Sequence, residues 1–300
     1  MGSALSMSGC SGYADDTGDM NPPQESVSDG NLDLSAWVDV KLQAGTGVLG
    51  LSAAEVADGW TVEYTSFLVT IGAIEFTRAD GSSVLHQENS VIDVLDLKAP
   101  VNVHTIAVAP GLSELTFTMP VATSEFLPIK PTSPADRGFM VDNGYAIYVE
   151  GTISRADGLT CDSSQPAVCT PAPVVSFAWG LDVGALIEDC PDVEVDREQT
   201  AERTLKIAGD RLFHTNFRPV GAAPPVRRAQ WLANADSDRD GVVTLDELAS
   251  TKAAALFDPQ LGYDVRSDAP VPVESARDFV AAQAQMIARE ALGCATSTPL

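Results

Sequence analysis

Positive charge is scarce in this chain. Of its 300 residues, 18 are Lys or Arg against 42 Asp or Glu, for a formal net charge of −24. Phosphate recognition needs a cationic footprint, so this balance argues against a nucleic-acid partner. It argues equally against an anionic membrane surface. Histidine is scarcer still: His86, His104 and His214 are all there are, so a three-histidine metal site would consume every one. No run of about 18 apolar residues exists to cross a membrane as a helix. None of the five cysteines sits in a Cys-x-x-Cys pair, which removes zinc-ribbon and thioredoxin-type readings. A G-x-S-x-G nucleophile elbow is also missing.

What is present suits a folded domain, with 45% hydrophobic and 20% charged residues. Residues 1–30 are the exception. Rich in Asp, Ser, Gly and Pro, they have too little apolar surface to fold and read as a disordered tether. Within them, Met7-Ser8-Gly9-Cys10 resembles a bacterial lipobox, which makes Cys10 the expected lipid attachment point. The nine residues before Cys10 carry no Lys, no Arg and no apolar stretch. The expectation is therefore a trimmed chain, or a true start further upstream. Setting Cys10 aside leaves four cysteines and three pairings. A bridge from Cys161 to Cys169 would staple a hairpin loop. Cys190 would then pair with Cys294, and disulfides would imply export.

From residue 36 to about 207 the pattern alternates with period two. Residues 37–42, 61–77, 84–97, 103–109, 115–119, 145–154, 174–181 and 204–207 read as strands. The second slips phase once, as a bulge or bend would. Asp80-Gly81 and Asp157-Gly158 are turn signals. No long helical pattern separates the strands, so the expected architecture is mainly β: an antiparallel β-sandwich, Ig-like in a loose sense, over residues 31–220. A helical region follows over 221–300. Helices are expected at 226–235, 245–256 and 274–292, the last closed by Gly293.

The helical region holds the one sharply specific motif. Asp236-Ser237-Asp238-Arg239-Asp240-Gly241-Val242-Val243-Thr244-Leu245-Asp246-Glu247 fits the twelve-residue EF-hand loop at each diagnostic position. Calcium is a hard cation that takes about six to eight oxygens. Asp236, Asp238 and Asp240 would give carboxylates, Val242 its backbone carbonyl, Thr244 a hydroxyl or a bridging water, and Glu247 two oxygens. Gly241 takes the turn that needs positive φ. Val243 is apolar, as a short β contact between paired loops requires. No second such loop occurs, and the six methionines are scattered. A sensor would pair its loops around a Met-rich groove, so the ion is expected to be structural.

Other signals are weaker. Gly45-Thr46-Gly47-Val48-Leu49-Gly50 matches G-x-G-x-x-G, but residues 52–57 leave no room for the helix a dinucleotide site needs. His104 or His214, with Asp210 or His86, can supply a transition-metal site. Trp37, Trp60, Trp179 and Trp231 read as core packing. No residue is assigned a catalytic or organic-cofactor role.

Three segments carry a resemblance: Gly59-Trp60-Thr61-Val62-Glu63-Tyr64-Thr65-Ser66-Phe67-Leu68-Val69, then Ile207-Ala208-Gly209-Asp210-Arg211-Leu212-Phe213, then the acidic loop. Together they resemble myxobacterial-type secreted lipoproteins that join a β-domain to a single EF-hand. More distantly, the β-region is similar to the MbnP-like copper-binding domain family. The resemblance implies an exported protein, lipid-anchored in a bacterial outer membrane, with bound calcium and a second metal. Residues 208–211 here carry no histidine, so it assigns no copper ligand. The expected function is a non-enzymatic, calcium-binding exported lipoprotein. The alternatives are a periplasmic or surface metal-handling protein of the copper type, and an extracellular hydrolase with a structural calcium.

Overall fold

In a computed structural model, the described residues are 37–162, 165–197, 200–217, 225–266, 268–288, 294 and 296–300. The tether, Cys10, Gly293 and the end of the last expected helix lie outside them. Residues Ala36–Leu300 form one compact unit. It is mainly β, a sandwich with a C-terminal helical appendage, as its sequence pattern predicts.

The chain opens with β1 (Val38–Thr46), β2 (Thr61–Arg78), β3 (Ser83–His86), β4 (Ser90–Asp93), β5 (Val101–Val108), β6 (Gly111–Met119) and β7 (Leu127–Ile129). After helix α1 (Pro134–Asn143) come β8 (Ile147–Ser154), β9 (Leu159–Asp162), β10 (Gln165–Pro171), β11 (Val174–Leu181), β12 (Ala185–Glu188), β13 (Val193–Val195) and β14 (Ala201–Ile207). The C-terminal part holds α2 (Gln230–Ala235), β15 (Val242–Val243), α3 (Leu245–Ser250), α4 (Ala253–Leu256), α5 (Ala276–Ala284) and β16 (Thr296–Pro299).

A small sheet ordered β14–β1–β5 belongs with a large one that runs β15–β11–β8–β2–β6–β12–β16. The alternation seen in sequence is realised on β1, where Val38, Val40 and Leu42 are buried between more exposed neighbours. These residues share one core with Phe67, Val69, Val149 and Trp179 of the large sheet. The long strand β2 bends, pairing with β8 along its first half and β6 along its second. Its register slips between Tyr64 and Ser66 and again between Gly72 and Glu75, with Ala73 at φ 41°. At the second slip the Asn89 side chain packs over Gly72, where a Cβ would fall 1.7 Å from Asn89 Oδ1 and force that side chain to move.

Several features depart from the expected pattern. The sheets are mixed: β14 runs parallel to β1, β7 to β4 and β15 to β11. Helix α1 interrupts the β-region, started by a Ser133–Asp136 capping box with Pro134 at its first turn and stopped by Gly144 in the left-handed conformation. The expected 245–256 helix breaks into α3 and α4, because Lys252 leaves the helix to bridge Ser275. Helix α5 is assigned only through Ala284.

The helical part shares its core with the sheets. Trp231 on α2 lies 6.2 Å from the Trp179 ring of β11, 5.4 Å from Phe279 of α5 and 5.9 Å from Phe257. Among the described residues, no helix is long and apolar enough to cross a membrane. Both expected disulfides are present, Cys161–Cys169 and Cys190–Cys294. Such bonds form and persist in oxidising compartments.

Candidate metal centre

The acidic loop sits in a helix–loop–helix. Helix α2 leads in, anchored by Trp231, and α3 leads out. Thr244 caps α3 and Glu247 answers from the third helical position, a reciprocal capping box. Arg239 (φ 65°) and Gly241 (φ 84°) both take the left-handed conformation. They fold the loop so that the Gly241 amide donates to Asp236 Oδ2 at 3.0 Å.

This fold brings Asp236, Asp238 and Glu247 together, with one oxygen of each within 4.8 Å of the others. Asp240 instead accepts from the Val242 amide at 2.7 Å. The Thr244 hydroxyl donates to Glu247 Oε2 at 3.0 Å. The other Glu247 oxygen accepts from the Ser237 amide and hydroxyl. Asp236 is only 4% exposed, yet its Oδ1 is buried with no hydrogen-bond partner. A buried anionic oxygen left unpaired is costly, and a cation held between these carboxylates would give it a partner.

The electrostatics agree. Burial raises the Asp236 carboxyl above its ordinary value, and the nearby Glu247 and Asp240 charges add to this against amide bonds from Gly241 and Arg239. Burial pushes Glu247 the same way, but the bonds from Thr244 and Ser237 outweigh it and hold that carboxyl below its usual value.

Val243 does not meet a second loop. Val242–Val243 pairs in parallel with Ser176–Phe177 of β11. The Ser176 amide donates to the Gly241 carbonyl at 2.8 Å, and Trp179 Nε1 donates to the Val243 carbonyl at 2.9 Å. The sheet edge supplies the β contact that a paired loop would otherwise give. On the other side, Thr160 Oγ1 donates to the Ala233 carbonyl and the Cys161 amide to Asn234 Oδ1. The disulfide hairpin β9–β10 is thereby fastened to the incoming helix.

The histidines separate into two groups. His86 and His104 meet, with His86 Nε2 2.9 Å from His104 Nδ1. Glu88 joins them, a residue that no local motif marks in the sequence. Burial, then the neighbouring His86, lower the His104 pKa to about 4, against the opposing charge of Glu88. His104 is therefore neutral at pH 7.

No family model matches the chain, and no curated protein does. One solved structure that aligns is MbnP from Methylosinus trichosporium, at a TM-score of 0.24 and 11% identity, over 56% of this chain and 75% of that one. Site assignments therefore rest on the geometry of this chain.

His214 joins a different group, with Asp210, Arg211 and Arg227. Arg211 Nη1 lies 2.9 Å from His214 Nδ1. A guanidinium only donates, so Nδ1 accepts and Nε2 carries the proton toward Asp210 Oδ2 at 3.2 Å. Both ring nitrogens are thus occupied, which removes His214 from the metal-ligand candidates. Arg227 completes the group, its Nε donating to Asp210 at 2.8 Å.

Burial opposes ionisation of Asp210, but the hydrogen bonds from His214 and Arg227 and the Arg227 charge outweigh it and keep the folded pKa below the ordinary value. A depressed carboxylate contributes stability above its unfolded pKa of about 3.9, and loses it as pH falls through the folded value. Asp210→Asn is expected to cost about 1–3 kcal/mol at neutral pH, because it leaves the partly buried Arg227 guanidinium without its carboxylate. The gap from wild type, read from urea midpoints, should narrow below about pH 4. A gap independent of pH would remove the charge of Asp210 as its cause.

Proposed function

We propose that this chain is a calcium-binding exported protein with a single EF-hand, that the ion is structural, and that the chain is not an enzyme. Asp236, Asp238, Asp240, the Val242 carbonyl, Thr244 and Glu247 would hold the ion. The observation that carries this reading is the buried, unpartnered Asp236 oxygen, grouped with the Asp238 and Glu247 carboxylates. Those residues also fall at the first, third and twelfth positions of the loop. A dication would neutralise this group and give Asp236 its missing partner.

The structural role is supported by how the loop is held. A sensor opens on binding. Here the loop is fastened to β11 on one side and to the disulfide hairpin on the other. The disulfides support export, where calcium at about 10⁻⁴–10⁻³ M keeps extracellular modules loaded. Attachment at Cys10 to a bacterial outer membrane completes the proposal, on the lipobox resemblance.

Isothermal titration of the metal-stripped chain tests it. One equivalent of calcium is expected, with magnesium far weaker because it demands a tighter octahedron. No calcium uptake by the folded wild type would end the reading.

A further inference from the structure

We propose that His86, Glu88 and His104 form a second, independent site for a borderline first-row divalent cation of the zinc class. The site lies between the two sheets. His104 stands on β5 of the small sheet, while His86 ends β3 of the large one and Glu88 occupies the loop before β4.

The donor atoms form a closed triangle. His86 Nε2 is 2.9 Å from His104 Nδ1, and Glu88 Oε2 is 3.5 Å from the first and 3.9 Å from the second. A circle through the three has a radius of about 2.0 Å, within the zinc–nitrogen and zinc–oxygen range of about 2.0–2.2 Å. One ion can therefore touch all three donors with little movement.

The surroundings favour the ligating form. Ser90 Oγ lies 3.3 Å from His104 Nε2. When that nitrogen donates its proton to the serine, Nδ1 presents a lone pair to the triangle, the outer-shell arrangement that orients metal-binding histidines. Two imidazole lone pairs cannot face each other at 2.9 Å with nothing between them. In the metal-free site the His86 Nε2 proton lies there, donated to His104 Nδ1; a bound cation would take its place, with the Glu88 carboxylate offsetting part of the charge.

Access and selectivity follow from burial and ligand type. The His104 side chain is 4% exposed and that of Glu88 64%, so the triangle has a closed floor and an open mouth. Three protein donors leave a fourth position to solvent. Two imidazoles suit zinc-class ions, whereas calcium takes oxygen. The two sites would thus sort cations by ligand softness. This assignment does not depend on the calcium reading.

The test uses the full chain without a polyhistidine tag, stripped of metal and then held in excess calcium so that the acidic loop is saturated. Zinc is titrated calorimetrically, and cobalt(II) is followed by its visible d–d absorption. The wild type should take one equivalent of each. Loss of an outer-shell partner alone costs roughly 10–100-fold, so His86→Ala should weaken zinc by at least about 100-fold and Glu88→Gln by at least about tenfold, each with an unchanged circular dichroism spectrum and unchanged calcium uptake. Both residues are more exposed than His104, so neither variant threatens folding. No stoichiometric zinc uptake by the wild type, or an affinity unchanged in either variant, overturns the proposal and leaves a hydrogen-bonded histidine pair.

Discussion

Glu247→Gln should raise the calcium dissociation constant roughly 100-fold through loss of a charged donor, and leave the metal-free protein as stable as the wild type. The argument rests on the two tasks of this side chain. It caps α3, accepting from the Thr244 amide at 2.9 Å, and its other oxygen accepts from Ser237. Glutamine serves equally well in a capping box, and its carbonyl can still accept from an amide. The other end becomes an NH2 that cannot accept from the Ser237 amide, a loss of about 1 kcal/mol, offset in the metal-free loop by relief of the charge repulsion with Asp236. Linkage sets the size of the effect. At calcium 100 times its dissociation constant the wild type gains about 2.7 kcal/mol. At the same concentration a variant bound 100-fold more weakly gains about 0.4 kcal/mol. Melting curves with and without chelator separate the outcomes. Equal melting temperatures in chelator and a large gap in calcium support the metal role; an equal loss in both would reduce Glu247 to a helix cap.

The same geometry explains why one loop can suffice. An isolated acidic loop repels itself, and binding must order it. Here much of the ordering is supplied by the fold, since Gly241 and Val243 are held by β11 and the incoming helix is held by Trp231. A loop held this firmly would gain stability from a bound ion but would have little freedom to signal with it.

Part of this was legible in the sequence. The β1 alternation and the β2 phase slip are local patterns and appear where local rules put them, and the acidic spacing brings three of its carboxylates together, Asp236, Asp238 and Glu247. Helix α1 carried its signal in Ser133-Pro134-Ala135-Asp136 and Gly144, but the surrounding period-two pattern hid it. The 251–252 break was invisible in an Ala- and Leu-rich run, because its cause is a bridge from Lys252 to Ser275, more than twenty residues away. The parallel pairing of β14 with β1 and the meeting of His86 with His104 are likewise products of topology. Glu88 has no spacing that marks it, and the pairing of Val243 with β11 rather than a second loop had no local signal either.

The two disulfides should rank in opposite order in their effects on stability and on calcium. Cys190–Cys294 closes a separation of 104 residues, for which the chain-entropy model gives about 4.7 kcal/mol. Cys161–Cys169 closes only eight, worth about 2.5 kcal/mol on the same model. The longer bridge lies beside the pairing of β12 with the C-terminal strand β16, far in topology from the acidic loop. The shorter one belongs to the hairpin fastened to α2 through Thr160 and Cys161. Replacing both cysteines of the long bridge by serine should therefore lower the urea midpoint more, with calcium affinity unchanged while the chain is folded. The same change in the short bridge should cost less stability but weaken calcium several-fold, because ordering of the incoming helix then falls to the ion. Equal calcium affinities in the two variants would show that the loop is held by β11 and Trp231 alone. A larger stability loss from the short bridge would mean that the native β9–β10 hairpin, rather than the unfolded chain, sets the value of these bonds.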